Sequence, residues 1–315
     1  MRAVILNDFE GEPTLADVPE PEPGANELRV RIRASSVNGF DLSVLSGAVK
    51  SWLPYELPIT LGRDYAGVVE AAGDGVTRYA VGDEVFGFVF KDVLREGTWA
   101  EAVVVPEDMF VSAKPTGLGF DQAGALPLAG IAALKAVEGI AVSEGDRVLI
   151  VGASGGVGGF ALQLAAAGGA HVIATAARED EERLRALGAA ETIDFTREDV
   201  AAVVRDRHRD GVDAMIDLVT AADAFPAVAA LVRSGGRVAT TTGAADADEL
   251  AKREIETTNV FATAEPETLA RLAGHAERGT LAVTFEAIFP LDEAAAGVEA
   301  FRRGTHGKIG IAVSG

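Results

Sequence analysis

The chain has 315 residues, 48% hydrophobic and 24% charged, with a formal net charge of −20 and a mean hydropathy of +0.20. That length accommodates two domains with separate cores, and the acidity argues against nucleic acid or an anionic membrane as partner, since both are repelled at long range. Cysteine is absent, which excludes disulfides, thiol catalysis and cysteine-ligated zinc or iron–sulfur clusters. The four histidines, His171, His208, His275 and His306, include no pair at metal-ligand spacing, so no metal site is expected. The opening run Met1 to Asn7 is too short for a signal peptide, and no apolar stretch approaches the ~20 residues needed to span a bilayer. A cytoplasmic protein is expected.

The first hundred or so residues read as β-rich. Short strand-like runs at Arg2 to Leu6, Glu27 to Ala34, Tyr65 to Ala71, Asp83 to Phe90 and Trp99 to Val105 are separated by Pro, Gly and Asp turns. After Pro115 the pattern becomes an alternation of helices and strands. Strands are predicted at Val148 to Val151, Val172 to Thr175, Thr192 to Phe195, Ala214 to Leu218 and Val238 to Thr242. Helices are predicted at Glu182 to Leu187, Val200 to His208 and Ala222 to Val232. Such alternation specifies a parallel, doubly wound α/β sheet. From about Thr284 the tail returns to strand, helix and strand (Phe285 to Phe289, Glu293 to Arg302, Lys308 to Val313), expected to fold back onto the first domain.

The most informative segment is Gly145 to Gly158, which reads as a turn, a buried strand and a glycine-rich opening into a helix. Gly152, Gly155 and Gly158 permit a sharp turn, close approach of backbone to a pyrophosphate and tight helix–strand packing. Ser154, Gly156 and Val157 complete a loop whose free N–H groups, with the helix dipole, favour an anion. A second strand at Ala170 to Thr175 supplies the βαβ context the motif requires. That strand ends in Thr175, Ala176, Ala177 and Arg178, with no carboxylate to bond a ribose 2′-hydroxyl. An adenosine 2′-phosphate meets no repulsion there, and Arg178 can form charge-assisted bonds to it, so NADPH is the expected cofactor. Arg178 also reads as part of the solvated charge cluster 178–183. Thr241 and Gly243, following another strand, are further expected cofactor contacts.

The order of segments resembles the medium-chain dehydrogenase/reductase superfamily, in its zinc-free quinone oxidoreductase-like branch. The resemblance rests on Ser36 to Asp41, Pro58 to Val69, Val81 to Gly87, Gly97 to Glu101, Ala123 to Ala133, the glycine loop, Leu187-Gly188-Ala189 and Gly307-Lys308-Ile309. It implies a GroES-like β-rich catalytic domain over 1–118, completed by 284–315, and a Rossmann domain over 119–283. It also implies a homodimer joined through the edge of the Rossmann sheet, for which Asn259 to Thr263 is the candidate strand, although an apolar strand there equally reads as core.

Zinc-dependent relatives place a cysteine ligand at the position of Asn38 and a His-Glu pair at Arg63-Asp64. The substitutions imply hydride transfer without Lewis-acid zinc to an acceptor that is already electrophilic, a quinone or other conjugated carbonyl. By the same resemblance Asn38 and Asp41 lie beside the nicotinamide, although both also suit the start of a helix at Phe40. Relatives that reduce carbon–carbon double bonds carry a Tyr where this chain has Ala48; Tyr55 is the nearest phenol available to replace it, and it also reads as a ring packed beside Pro54. Phe195 stands where a Tyr is common beside the adenosine. Lys308, in the matching Gly-Lys of the tail, approaches the cofactor or begins an edge strand as a solvated lysine. The expected activity is NADPH-dependent reduction of a quinone or enone; the alternatives are a 2-alkenal or enoyl double-bond reductase and a weakly catalytic NADPH-binding sensor.

Overall fold

Charged and apolar residues alternate strictly from Glu27 to Ala34, and this period of two makes a strand with Leu28, Val30, Ile32 and Ala34 buried on one face. The computed structural model describes residues 1–263 and 265–313. In chain order the first part contains β1 (Arg2–Leu6), β2 (Thr14–Asp17), β3 (Glu27–Val37), α1 (Gly39–Leu45), β4 (Ile59–Thr60) and β5 (Asp64–Ala72). β6 (Glu84–Phe88), β7 (Ala102–Pro106), β8 (Ser112–Ala113), α2 (Phe120–Ala125) and α3 (Pro127–Gly139) follow. The alternating part comprises β9 (Arg147–Val151), α4 (Gly156–Ala167), β10 (His171–Ala176), α5 (Glu181–Ala186), β11 (Glu191–Asp194) and α6 (Val200–Arg207). It continues through β12 (Val212–Asp217), α7 (Phe225–Ala229), β13 (Val232–Thr240), α8 (Ala247–Ala251) and β14 (Glu256–Asn259). The chain closes with α9 (Pro266–Glu277), β15 (Phe285–Pro290), α10 (Ala294–Arg302) and β16 (Lys308–Ala312).

Contacts divide the chain into two units. One comprises residues 1–131, 263–279 and 283–315; the other comprises 132–262 and 280–282. The first unit holds a small sheet, β2-β1-β4, and a larger one ordered β15-β16-β3-β5-β6-β8, with β7 also paired to β3. The tail enters this larger sheet because β16 pairs antiparallel with β3, Ile309 opposite Val37 and Ile311 opposite Ser35. α9 belongs to this unit as well: Glu277 accepts from the Thr116 N–H at 2.9 Å, and a Cβ at Gly130 would meet Leu272. The sequence-based division at 118/119 and 283/284 leaves α9 in the other part.

The second unit is a six-stranded parallel sheet in the order β11-β10-β9-β12-β13-β14. This is the doubly wound order in which two βαβαβ halves meet at β9 and β12, and ligands bind beyond the carboxyl ends of the strands near that reversal. Its core includes Leu149, Ile173, Ile193, Met215 and Val238, one from each of five adjacent strands.

Several element boundaries differ from those predicted. The helix expected at 222–232 is confined to Phe225–Ala229, where Pro226 occupies the first turn, and β13 begins at Val232. Trp99 precedes its strand, which starts at Ala102; Ala100 makes only an isolated bridge to Ala3. The edge strand expected at 259–263 is Glu256–Asn259, and the strand expected to include Phe195 ends at Asp194.

Candidate active site

The glycine loop follows β9. Gly152 has φ +89°, and a Cβ there would lie 2.8 Å from Val219 Cγ1, so backbone conformation and space both select glycine. A Cβ at Gly158 would run into the carbonyl oxygen of Gly152, so the first turn of α4 packs directly on the end of β9. Gly155 caps α4 in an extended conformation, and Gly156, Val157 and Gly158 form the first helical turn. Neighbouring side chains hold the loop: Gly152 N–H donates to Thr175 Oγ1 at 3.1 Å, and Arg183 donates to the Ser154 carbonyl at 2.9 Å. The backbone N–H groups opening α4 thus make a cradle that a pyrophosphate fits.

Thr175 is buried in β10 and serves the loop through that hydrogen bond. Arg178 is exposed just beyond the strand and has no hydrogen-bond or ion-pair partner among the described residues. It lines a pocket of about 380 Å³ at the carboxyl ends of β10 and β11, with Arg185, Arg197 and Arg207 and the carboxylates of Glu181, Asp194 and Glu198. Two of the four arginines are engaged, Arg185 by Glu181 at 3.1 Å and Arg207 by Glu191 at 3.2 Å. Arg197 approaches Asp194 only at 3.7 Å. Phe195 is 56% exposed beside this pocket. Thr241 and Gly243 follow β13; Thr241 N–H donates to the Asp217 carbonyl at 3.2 Å, and Gly243 has φ +68°.

Asn38, Asp41 and Lys308 lie together in the other unit, inside a buried polar cluster. Lys308 Nζ donates to Asn38 Oδ1 at 2.8 Å and lies 3.7 Å from Asp64 Oδ2. Asn38 Nδ2 donates to Asp64 Oδ2 at 2.9 Å, as does Ser36 Oγ at 2.6 Å, and the Leu128 N–H donates to Asp64 Oδ1 at 2.8 Å. Asp64 is thus a fully buried carboxylate with a cation and three donors around it. Asp41 Oδ2 accepts from the Asn38 N–H at 2.8 Å, closing the capping arrangement of α1, while Asp41 Oδ1 is buried with no partner. Arg63 is buried nearby: its guanidinium lies 4.9 Å from the Phe40 ring centre, Nη1 donates to the Val89 and Glu96 carbonyls, and Nε has no partner.

Burial sets the electrostatics. Loss of solvent raises the Asp41 carboxyl to about 7, opposed by the Asn38 N–H and the Arg63 charge. Burial lowers Arg63 to about 10, partly offset by Asp41. Burial also lowers the Lys308 ammonium, against the pull of Asp64 and Asp41. Asp41 therefore exchanges a proton near neutral pH.

Tyr55 lies outside this cluster. It is 41% exposed, packs edge-on against Phe9 at 4.8 Å and bridges to Leu94. The sequence reading assigned no role to Ser36, Arg63 or Asp64. The available signal was two opposite charges, Arg63-Asp64, immediately before the uncharged run Tyr65 to Val69. Lys308 is 4% exposed, which replaces the picture of a solvated edge lysine.

A β-rich unit combined with a doubly wound parallel sheet whose first strand runs into a glycine loop is the architecture of dinucleotide-binding dehydrogenase folds. Residues 24–116 match the family model for an alcohol dehydrogenase GroES-like domain, and residues 156–274 match that for a zinc-binding dehydrogenase. Among solved structures, an NAD-dependent alcohol dehydrogenase is 33% identical with a TM-score of 0.89, covering 100% of both chains. The quinone oxidoreductase from Coxiella burnetii is 30% identical with a TM-score of 0.90, covering 100% of this chain and 99% of its own. The chloroplast envelope quinone oxidoreductase homolog of Arabidopsis thaliana is 35% identical over 64% of this chain and 64% of its own length. The NADPH-dependent alkenal/one oxidoreductase, chloroplastic, of the same plant is 31% identical over 78% of this chain and 63% of its own. The match thus spans somewhat less than two thirds of these curated relatives. The chain belongs to the medium-chain dehydrogenase/reductase superfamily, in its quinone-oxidoreductase-like branch. No helix among the described residues is long and apolar enough to cross a membrane.

Proposed function

We propose that this protein is a zinc-independent, NADPH-dependent reductase of quinones and similar conjugated carbonyls. The observation that carries this reading is the buried cluster of Asn38, Arg63, Asp64 and Lys308. Of its two buried acids, Asp64 accepts from Asn38, Ser36 and Leu128 with Lys308 3.7 Å away, Asp41 accepts from the Asn38 N–H through one oxygen, and the cations Lys308 and Arg63 are buried with them. A divalent metal would meet positive charge and occupied lone pairs there. Without a Lewis acid, an acceptor that is already electrophilic is the chemically consistent substrate.

The NADPH preference is supported by the pocket at β10 and β11. Arg178 and Arg197 are the two cations in it with little or no internal pairing, which suits a phosphate on the adenosine ribose. Gly152, Ser154, Gly155, Gly156, Val157 and Gly158 would hold the pyrophosphate, with Thr175 fixing the loop; Phe195, Thr241 and Gly243 would contact the rest of the dinucleotide. When bound, the reduced dinucleotide supplies the hydride. In the other unit, Lys308 and Asp64 fix the Asn38 amide, and Asp41 holds a proton near neutral pH. A second reading, reduction of an activated carbon–carbon double bond, is favoured by that proton: Asp41 is a carboxyl rather than a carboxylate below about pH 7. The homodimer proposal rests on the open edge of β14 and on Phe261 just beyond it, 77% exposed.

The test is NADPH oxidation by purified, chelator-treated protein, followed by absorbance with a quinone and a 2-alkenal in parallel and NADH as control. Turnover of the quinone with NADPH, at a small fraction of that rate with NADH, is expected. A requirement for added zinc would overturn the reading.

A further inference from the structure

Arg63 and Lys308 are the two buried cations among the described residues, and their surroundings differ. Lys308 rests on Asn38 Oδ1 and beside Asp64. Arg63 makes no ion pair among the described residues; the adjacent Asp64 turns its carboxylate to Asn38, Ser36 and the Leu128 N–H instead. Arg63 Nη1 reaches the Val89 and Glu96 carbonyls only at 3.4 and 3.3 Å, and the guanidinium lies 4.9 Å from the Phe40 ring centre. Nε is buried without a partner, and Nη2 donates to nothing among the described residues. A guanidinium presents its N–H groups as a planar fork, and Nε–H and one Nη2–H run parallel along one edge, an edge that binds oxygen ligands two-pronged. In Arg63 that is the unengaged edge. A buried cation with unmet donors is costly, and an oxygen bearing negative charge is the ligand that meets them. Burial also lowers the pKa of Arg63 to about 10, so the surroundings disfavour the cation and an incoming negative charge relieves it.

We propose that Arg63 is a catalytic residue that donates through Nε and Nη2 to a carbonyl oxygen of the acceptor and stabilises the negative charge this oxygen gains on reduction. The proposal rests on the quinone-reductase reading and names the group that polarises the acceptor within it. A neutral quinone that takes up a hydride from the reduced dinucleotide gains two electrons and one hydrogen, the dinucleotide is oxidised, and the quinone's second oxygen is left negative. One proton completes the quinol. Asp41 holds a proton near neutral pH and its Oδ1 is buried without a partner, so its carboxyl supplies that proton and is reprotonated from solvent. A cation fixed in a buried site acts on developing charge without reorganising, and there it is worth far more than in water.

The experiment compares full-length wild type with Arg63→Met and Arg63→Lys. It reads urea unfolding, binding of 4-nitrophenolate without NADPH by its absorbance, and NADPH oxidation by benzoquinones of graded reduction potential. The phenolate carries the charged oxygen that the reduced acceptor would present. Expected for Arg63→Met is a urea midpoint equal to or above that of wild type, since an apolar chain replaces a buried cation that has no carboxylate of its own. Its Kd for the phenolate should rise about tenfold or more. Its kcat should fall about a hundredfold on the least electrophilic quinone and far less on the most electrophilic, with KM for NADPH within about twofold of wild type. Arg63→Lys keeps the charge without the two-pronged edge and should fall between the two. A lowered urea midpoint with an unchanged phenolate Kd in Arg63→Met would make Arg63 a structural cation and overturn the proposal. So would a rate loss of the same size along the whole quinone series. Phenolate binding that depends on Arg63 in a protein that turns over no quinone sinks the reductase reading and leaves the oxygen site; turnover indifferent to Arg63→Met sinks the oxygen site and leaves the reductase.

Discussion

Lys308 Nζ lies 2.8 Å from Asn38 Oδ1, although 270 residues separate them. The bond fixes which end of the amide faces which partner: the oxygen meets the ammonium and the nitrogen meets Asp64. Removing the ammonium leaves Asp64 buried without its cation, and losing one member of a buried pair typically costs about 3–5 kcal/mol. Three remaining donors to Asp64 temper that figure, so Lys308→Met is expected to destabilise by about 3 kcal/mol, read from urea unfolding. Combining it with Asp64→Asn should recover part of the loss. Strict additivity of the two substitutions would show that they are not coupled.

Asp41 predicts a pH signature. Its folded pKa of about 7 lies above the ordinary carboxyl value, so the folded chain binds this proton more tightly than the unfolded one. Stability from this group is complete below about pH 4 and is lost as pH rises through about 7. The charges facing it are Arg63, Asp64 and Lys308. Asp41→Asn keeps an acceptor for the Asn38 N–H and removes the titration. The variant should gain on wild type between pH 5 and pH 8, by about 2.5 kcal/mol. Urea unfolding at the two pH values measures the difference; an unchanged gap would mean that Asp41 titrates normally.

The glycine loop was legible because its geometry is local. A strand, a residue with positive φ and a helix start lie within a dozen residues, and each leaves its own mark on residue type. The position of Arg178 just past the end of a strand was legible for the same reason. The cluster around Asn38 was not, because β3, β5, β16 and α3 contribute to it from distant parts of the chain, and nothing local distinguishes a buried lysine from a solvated one. Tyr55 was chosen for its nearness in sequence, but the chain turns it towards Phe9, at 4.8 Å.

The same loop separates glycines that matter from one that does not. Gly158→Ala sets a methyl against the Gly152 carbonyl, and backbone cannot yield as a flexible side chain does; a loss of about 1–3 kcal/mol and a marked rise in the NADPH Kd are expected. Gly159 has nothing within 4 Å of the added carbon, and Gly159→Ala in α4 should stabilise by about 0.5–1 kcal/mol. Thermal unfolding and cofactor titration of the two variants should give opposite signs; equal effects would remove the packing argument.

Arg178 and Arg197 carry the cofactor choice. Charge-assisted hydrogen bonds contribute about 1.5–3 kcal/mol, so Arg178→Ala and Arg197→Ala should each raise KM for NADPH by about tenfold or more while KM for NADH stays within about twofold. A parallel rise for both dinucleotides would place the arginines in folding rather than in recognition of the 2′-phosphate.

The edge of the parallel sheet gives the last expectation. β14 pairs with β13 on one side only, and a strand edge left open beside an exposed aromatic is a template for another chain. Phe261 is the most exposed of the large hydrophobic side chains among the described residues, at 77%. If two copies meet there, each phenyl ring leaves water, and burying such a side chain is worth about 1.5–3 kcal/mol per copy. Phe261→Glu would instead bring two carboxylates together across the symmetry axis or close to it, in a chain already at a formal charge of −20. The variant should sediment as a monomer at concentrations where wild type is a dimer, with NADPH affinity retained, because Phe261 lies outside the glycine loop and the arginine pocket. A wild type that sediments as a monomer throughout would remove the dimer and leave Phe261 without a role.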